Sequence, residues 1–324
     1  MKRLSLIICT RNRKLDLRRL LTLAPAWDPP GSDWEILVVD NGSSDGTAEM
    51  VAEVAARLHL PARVVREERP GHSRARNAGI AAAAGDLLAF TDDDVEPDPA
   101  WLAAMVEVAR RREDMAFGGR VIPRWSGTPP AWLVTEGPYR ITGGAVLAYD
   151  HGDQERECDA SMFVPVGACM FFRQEVFERL GGFREDLGRQ GTELISADDS
   201  EFFFRVRGAG LRVVYAPSVV LHHPVDVSRA TRAYHRRWYW DLGRSFARWR
   251  GVPESSRMFL GFPGAALRQV ASDAARYLGA LVTGPREARL FRELRLRAAL
   301  GQALEARRLR RAARVDQAYP RLPQ

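Results

Sequence analysis

The sequence predicts an α/β fold: a Rossmann-like, mostly parallel sheet covered by helices, with a C-terminal helical appendage. Three observations carry that expectation. Short, nearly continuous apolar runs alternate with helix-period segments through the first ninety or so residues, as strands buried on both faces require. Polar residues follow those runs directly, at what would be the carboxyl edge of the sheet, where ligands gather in such folds. Near residue 228 the chain changes character, and from Arg229 to the end it carries 21 arginines against 7 acidic residues.

In order, the apolar run Leu4 to Cys9 is too short for a signal peptide and is followed at once by Arg11 and Arg13, so it reads as a first strand. A helix near 14 to 24, a strand Glu35 to Val39, a helix near 46 to 58, a strand Ala62 to Val65, an alanine-rich helix near 73 to 84 and a strand Asp86 to Phe90 come next. The middle, about 115 to 222, mixes strands with a Gly/Pro-rich segment, Arg124 to Gly144, that reads as a mobile loop. Beyond it lie the apolar run Val164 to Phe172, a short helix ending at Gly181-Gly182, a helix near 197 to 208, and strands at 211 to 215 and 218 to 222. The remainder is helical, with Trp238, Trp240 and Trp249 among its arginines.

Composition narrows the function. At 324 residues and 46% hydrophobic content the chain can build one large core plus an appendage. Cys9, Cys158 and Cys169 are odd in number, widely separated and in no ligand spacing, which argues against a disulfide framework or a zinc site and suits a reducing cytoplasm. The most apolar late stretch, FLGFPGAALRQVASDAARYLGALV, is broken by Arg268, Asp273 and Arg276, so no spanning helix is expected. Lysine occurs only at positions 2 and 14, and a GC-rich genome explains most of the arginine excess. The residues before Arg229 carry 34 acidic against 27 basic side chains, so a nucleic-acid-binding reading of the basic end leaves the acidic strand ends unexplained.

The chemistry concentrates in FTDDDVEPD, residues 90 to 98. On extended backbone Asp92 and Asp94 share a face and Asp93 takes the other. Two carboxylates so spaced can hold a hard divalent cation while leaving positions for phosphate oxygens. Their mutual repulsion would otherwise raise their proton affinity. The competing reading is an acidic helix start beside Pro97 and Pro99. Asp40-Asn41-Gly42 can equally be a strand-ending turn. Ser196-Ala197-Asp198-Asp199 fits a capping box, and Glu201 with Arg205 an ordinary helix pair.

Six stretches in series resemble the inverting family-2 glycosyltransferases of the GT-A fold: IICTRNR (7 to 13), VVDNGSSDGT (38 to 47), GHSRARNAGI (71 to 80), FTDDDVEPDPAWL (90 to 102), VGACMFFRQEVFERLGGFRE (166 to 185) and ADDSEFFFRVRGAG (197 to 210). The resemblance implies a nucleotide-diphospho-sugar donor, a divalent metal (Mn2+ or Mg2+) and transfer to an acceptor hydroxyl with inversion, in polysaccharide or glycolipid assembly. It implies that Thr10, Arg11 and Arg13 border the nucleotide, that Asp40 accepts hydrogen bonds from base or ribose, and that Arg76, Asp92 and Asp93 lie beside the donor. Asp92 and Asp94 match the metal motif, Asp94 foremost. Family members commonly show Glu-Asp where this chain has Asp198-Asp199, so the first position departs conservatively and Asp199, the implied catalytic base, is retained. Some relatives place a metal-ligating histidine where His222-His223 stand; His222 is the expectation, with the tandem leaving His223 open.

Residues 1–227 are thus expected to form the catalytic domain and 228–324 a region for an acceptor, an anionic membrane surface with its tryptophans at the interface, or a second copy in a homodimer. The expected partners are the donor and a saccharide or lipid-linked acceptor, with no nucleic acid, at a cytoplasmic location peripheral to the inner membrane face. A sugar-nucleotide nucleotidyltransferase is the alternative enzyme, but it would need a glycine-rich loop after the first strand, where TRNR has none. A degenerate nucleotide-binding protein is the non-enzymatic alternative.

Overall fold

The structure, a computed structural model, describes residues 3–141, 145–159, 162, 164–226 and 228–318. Gly144, the expected end of the middle loop, lies outside them. The first strands and helices follow the apolar pattern closely: β1 (Arg3–Thr10), α1 (Lys14–Leu23), β2 (Asp33–Asp40), α2 (Thr47–Leu58), β3 (Ala62–Arg66), α3 (His72–Ala82), β4 (Leu87–Thr91) and the short β5 (Glu96–Pro97). Then come α4 (Trp101–Arg111), β6 (Ala116–Trp125), β7 (Arg156–Glu157), β8 (Met170–Arg173), α5 (Glu175–Leu180), α6 (Asp198–Gly208) and β9 (Val213–Val225). The chain closes with α7 (Arg232–Arg250), the hairpin strands β10 (Met258–Phe259) and β11 (Phe262–Pro263), α8 (Gly264–Val282) and α9 (Arg286–Ala318).

The chain divides into two compact units. The first comprises residues 1–126, 146–191 and 198–226, and it contains the large sheet, in the order β3-β2-β1-β4-β8-β6-β9-β5 with β7 on β9. Its long ladders, β3-β2-β1-β4 and β6-β9, are parallel, while β8 runs antiparallel between β4 and β6. Leu4, Leu6, Ile7, Ile8, Leu37, Val38 and Leu88 are fully buried, which is why these strands read as unbroken apolar runs rather than alternating ones. Behind β4 and β8 a nest of rings forms the densest part of the core: Phe172 sits 5.2 Å from Phe202 and 6.0 Å from Phe90, and Phe90 lies 5.6 Å from Phe183, all edge-on. α6 contributes Phe202, Phe203 and Val206 to that nest, and its buried face thereby fixes the start of the helix at Asp198.

Parallel register puts the strand ends together. Thr10 is the register partner of Asp40, and Ile8 of Thr91, so the residues just past β4 come up beside Cys9 and Thr10. One departure from the sequence reading is β9, expected as two strands and found as one. The ladder to β6 jumps from Gly119↔Ala216 to Arg120↔Val220, so Pro217-Ser218-Val219 form a bulge that bends the strand without ending it.

The second unit comprises residues 127–145, 192–197 and 227–324. In it α7 and α9 approach closely enough that a Cβ at Gly243 would collide with the Ala298 carbonyl, and one at Gly301 with that of Trp240. Arginines of α7 and α9 converge on two acids: Arg248 Nε lies 2.8 Å and Arg308 Nη2 2.6 Å from the buried Glu305, and Arg236 and Arg297 share the half-buried Glu293. The expected interfacial tryptophans are largely occupied here. Trp238 is 8% exposed, packed with Ala145 and Leu194, and Trp249 stacks on Phe246 at 5.9 Å. No helix among the described residues is long and apolar enough to cross a membrane.

Candidate active site

The carboxyl edge of the parallel strands gathers the charged residues of the first unit. Thr10 ends β1 and donates its hydroxyl to Asp93 Oδ2 at 2.7 Å. Arg13, one step before α1, spreads its guanidinium across Asp94 (2.7 Å), Asp16 (2.9 Å) and Asp93 (3.3 Å). Asp93 therefore turns inward, 4% exposed. Burial pushes its carboxyl up to about 7, with Asp94 and Asp92 adding to the shift and Arg13 and Thr10 opposing it.

Asp92 and Asp94 face the other way, and His223 meets them. Its Nε2 lies 3.8 Å from Asp92 Oδ2 and 3.6 Å from Asp94 Oδ1. One ligand atom from each of the three residues falls within 4.8 Å of the others. The His223 Nδ1 is 3.0 Å from the Pro224 carbonyl; a carbonyl only accepts, so this bond places a proton on Nδ1 and fixes the ring with Nε2 turned to the carboxylates. Two hard oxygens and an imidazole nitrogen are a donor set that fits Mn2+ or a similar divalent ion. The expected histidine, His222, is not the one brought there. Successive residues of β9 alternate faces, and His222 sits on the other face in the field of Arg124 and Asp98, where burial first and Arg124 second push its imidazole down.

A second cluster lies at the start of α6. Asp198 accepts from Arg76 Nη1 at 2.6 Å and is 3.4 Å from His72 Nδ1. Arg76 and Asp198 are 3% and 5% exposed. Burial alone would raise the Asp198 carboxyl, but the Arg76 guanidinium and His72 outweigh it and hold it well below the usual carboxylate range. Asp199 takes the opposite shift: burial and the neighbouring Asp198 charge push it up, against Arg76 and two backbone N–H bonds. Those bonds come from Gly167 to Oδ2 at 2.8 Å and from Ser200 to Oδ1 at 2.6 Å. The capping box does not form, since the Ser196 hydroxyl is buried without a hydrogen-bond partner among the described residues. Glu201 and Arg205 do pair along the helix, at 2.9 Å.

Arg76, expected beside the donor, is buried and links the two clusters, feeling Asp198 and Asp199 on one side and Asp92 on the other. Arg11 is exposed, and Asp40 is 7% exposed, accepting from the Ser43 N–H at 2.9 Å. Asp40 opens on a hollow of about 180 Å³ lined also by Ser43, Thr47, Arg66 and Glu68.

Several organising residues were not singled out from sequence. Asn12, in the left-handed region at φ 53°, takes an N–H bond from Ser44 and donates its own N–H to Ser43, tying the loop after β1 to the loop after β2. Asn41 donates to the Glu67 and Arg69 carbonyls and accepts from the Gly71 N–H. Gly167 must lack a side chain, because a Cβ there would strike the Arg76 guanidinium. Asn12 and Gly167 lie in quoted motifs, where asparagine and glycine at a strand-to-loop junction are the available signal.

The Glycosyl transferase family 2 model matches residues 5–181. Among curated proteins, Glycosyltransferase AglE of Haloferax volcanii is 30% identical over 222 residues, covering 68% of this chain and 66% of its own. Glucosyl-dolichyl phosphate glucuronosyltransferase of the same organism is 27% identical over 57% of this chain and 55% of its own, so the chain spans between about half and two thirds of these relatives. The solved mannosyltransferase PcManGT of Pyrobaculum calidifontis, in complex with GDP-Man and Mn2+, superposes with a TM-score of 0.53 at 21% identity, over 99% of this chain and 76% of that one. At that identity the likeness concerns the fold, which is of the GT-A type.

Proposed function

The chain belongs to glycosyl transferase family 2, and on that footing we propose that it is an inverting glycosyltransferase, moving a sugar from a nucleotide-diphospho-sugar to a hydroxyl of a saccharide or lipid-linked acceptor in polysaccharide or glycolipid assembly. The observation that carries this reading is the convergence of Asp92, Asp94 and His223 at the strand edge that also holds Asp40 and Thr10. Asp40 and its hollow suit the polar face of a nucleoside. Asp92, Asp94 and His223 would hold a divalent cation, which when bound supplies Lewis-acid stabilisation to the diphosphate as it departs. Arg13, which already answers the charge of Asp93 and Asp94, adds a fixed cation at the same edge. Arg11 completes the border as an exposed cation.

Asp199 is assigned as the base. Its carboxylate is oriented by the Gly167 and Ser200 N–H groups, and it takes the acceptor hydroxyl proton as the oxygen attacks the anomeric carbon opposite the leaving diphosphate. Burial, with the charge of Asp198 added to it, makes Asp199 a stronger base than an ordinary aspartate. Arg76 compensates that charge and keeps the pair foldable. The catalytic role falls to the first unit. Residues 228–324 are assigned to acceptor or membrane-side contacts, in the cytoplasm at the inner face of the membrane, where a lipid-linked acceptor would be presented. One named relative acts on a glucosyl-dolichyl phosphate, and that supports the lipid-linked alternative.

The test is transfer by Asp199→Asn. Transfer should fall by about 10²–10⁴-fold, the usual worth of a general base, while nucleoside diphosphate binding stays within a factor of a few. Unchanged turnover in the variant would remove Asp199 from the role.

A further inference from the structure

Several arginines of the second unit are matched by acids: Arg236 and Arg297 by Glu293, Arg244, Arg248 and Arg308 by Glu305, and Arg276 by Asp273. Arg307, Arg310 and Arg311 are not: none has an acidic partner among the described residues, and Arg310 binds only the Glu254 carbonyl, at 2.8 Å. The Nε groups of Arg307 and Arg310 are buried with no hydrogen-bond partner there. The three line one cavity, of about 340 Å³, with Met258, Leu260 and Gly261.

The rest of that wall is the β10-β11 hairpin. Phe259 pairs with Phe262 across a two-residue turn, Leu260-Gly261, in which both residues have positive φ, 51° and 80°. Asparagine or glycine ordinarily fills the first place of such a turn, because a branched side chain is strained there. Here it is leucine, 91% exposed, beside a Phe259 that is 57% exposed. Phe262 is covered by the Arg307 guanidinium at 4.6 Å. Folding alone gives no reason to place a strained, solvated leucine at this tip.

We propose that the hairpin is a membrane-surface anchor: Phe259 and Leu260 enter the acyl boundary of an anionic bilayer while Arg307, Arg310 and Arg311 receive its lipid phosphates. An apolar tip that lines one cavity with arginines lacking an acidic partner fits a surface that offers hydrocarbon and phosphate at adjoining depths. A soluble phosphate would satisfy the arginines and leave Leu260 in water. A second copy would bring the same arginines against themselves. The inference deepens the membrane-side reading above and rests on it, but its test needs no turnover, so its failure leaves the transfer chemistry standing.

The experiment is co-sedimentation of the full chain with phosphatidylcholine vesicles, with and without phosphatidylglycerol. Binding should require the anionic lipid and weaken as salt is raised. Leu260→Asn relieves the turn's strain and should keep or raise the thermal midpoint, yet weaken vesicle binding by about tenfold. The combined Arg307→Gln, Arg310→Gln, Arg311→Gln variant should weaken it by about a hundredfold. Nucleoside diphosphate binding should be unchanged in both. No preference for anionic vesicles would overturn the proposal. So would loss of binding in the arginine variant with none in Leu260→Asn, which would reduce the site to a phosphate pocket. Self-association abolished by Leu260→Asn, without vesicle binding, would replace the bilayer with a second copy.

Discussion

Asp198 and Asp199 are neighbours in sequence with opposite electrostatic fates, and their difference sets the pH behaviour. Asp199 must be ionised to accept a proton, and its carboxyl is raised above the ordinary 3.8. Activity should therefore fail, as pH drops, above the range of an ordinary aspartate. Asp198 does not contribute in that window: its folded value is depressed, so the stability from its pair with Arg76 is fully present above the unfolded carboxylate value, about 3.9, and is lost only below it. A kcat/KM profile whose acid limb lies at or below that of an ordinary aspartate would contradict the assignment. Removing the pair is a different matter. Asp198→Asn removes the carboxylate that Arg76 binds directly and leaves that buried charge only Asp199 and Asp92, at a cost of up to about 3–5 kcal/mol, which denaturant unfolding would read as a lowered midpoint with an unchanged slope.

At the level of elements, the site depends on how helices and strands are held from behind. Phe202 sits under the first turn of α6, 4.9 Å from Phe177 in a stacked pair and 5.2 Å from Phe172. Phe202→Ala should cost about 3–5 kcal/mol and, by loosening the helix start, lower kcat more than nucleotide affinity; equal loss of both would mean that α6 does not position the base. The parallel strands β1, β2 and β4 were legible because each is a run of apolar residues ending in a polar group, and their common direction alone brings Thr10, Asp40 and Asp93 to one edge. The histidine was not legible. Whether His222 or His223 faces the carboxylates depends on the phase of β9, which is set by the bulge at 217–219 and by pairing with β6 about a hundred residues earlier, so no local pattern carries it. His223→Ala should weaken Mn2+ binding by about tenfold or more, and His222→Ala should leave it unchanged; the reverse order, measured by Mn2+ titration, would return the role to His222.

For the molecule as a whole, the sequence separated an acidic sheet-bearing portion from an arginine-rich helical one, and it could do so because charge and periodicity change together near residue 228. It could not show that 127–145 and 192–197 group with the later helices, since that follows from contacts such as the Leu194 N–H donating to Asp241 at 3.0 Å across 47 residues. Nor could it show which arginines are spent on Glu293 and Glu305 and which remain open. The burial of Arg76 against Asp198 was likewise not legible, because that partner lies 122 residues away. The central claim is that nucleotide and cation meet at Asp92, Asp94 and His223. Calorimetric titration of UDP, GDP, dTDP and CMP, with and without Mn2+, into the wild type and Asp94→Ala tests it most directly. The expected result is binding of one nucleotide that needs the cation and is lost in the variant; binding indifferent to both, or no binding at all, would contradict it.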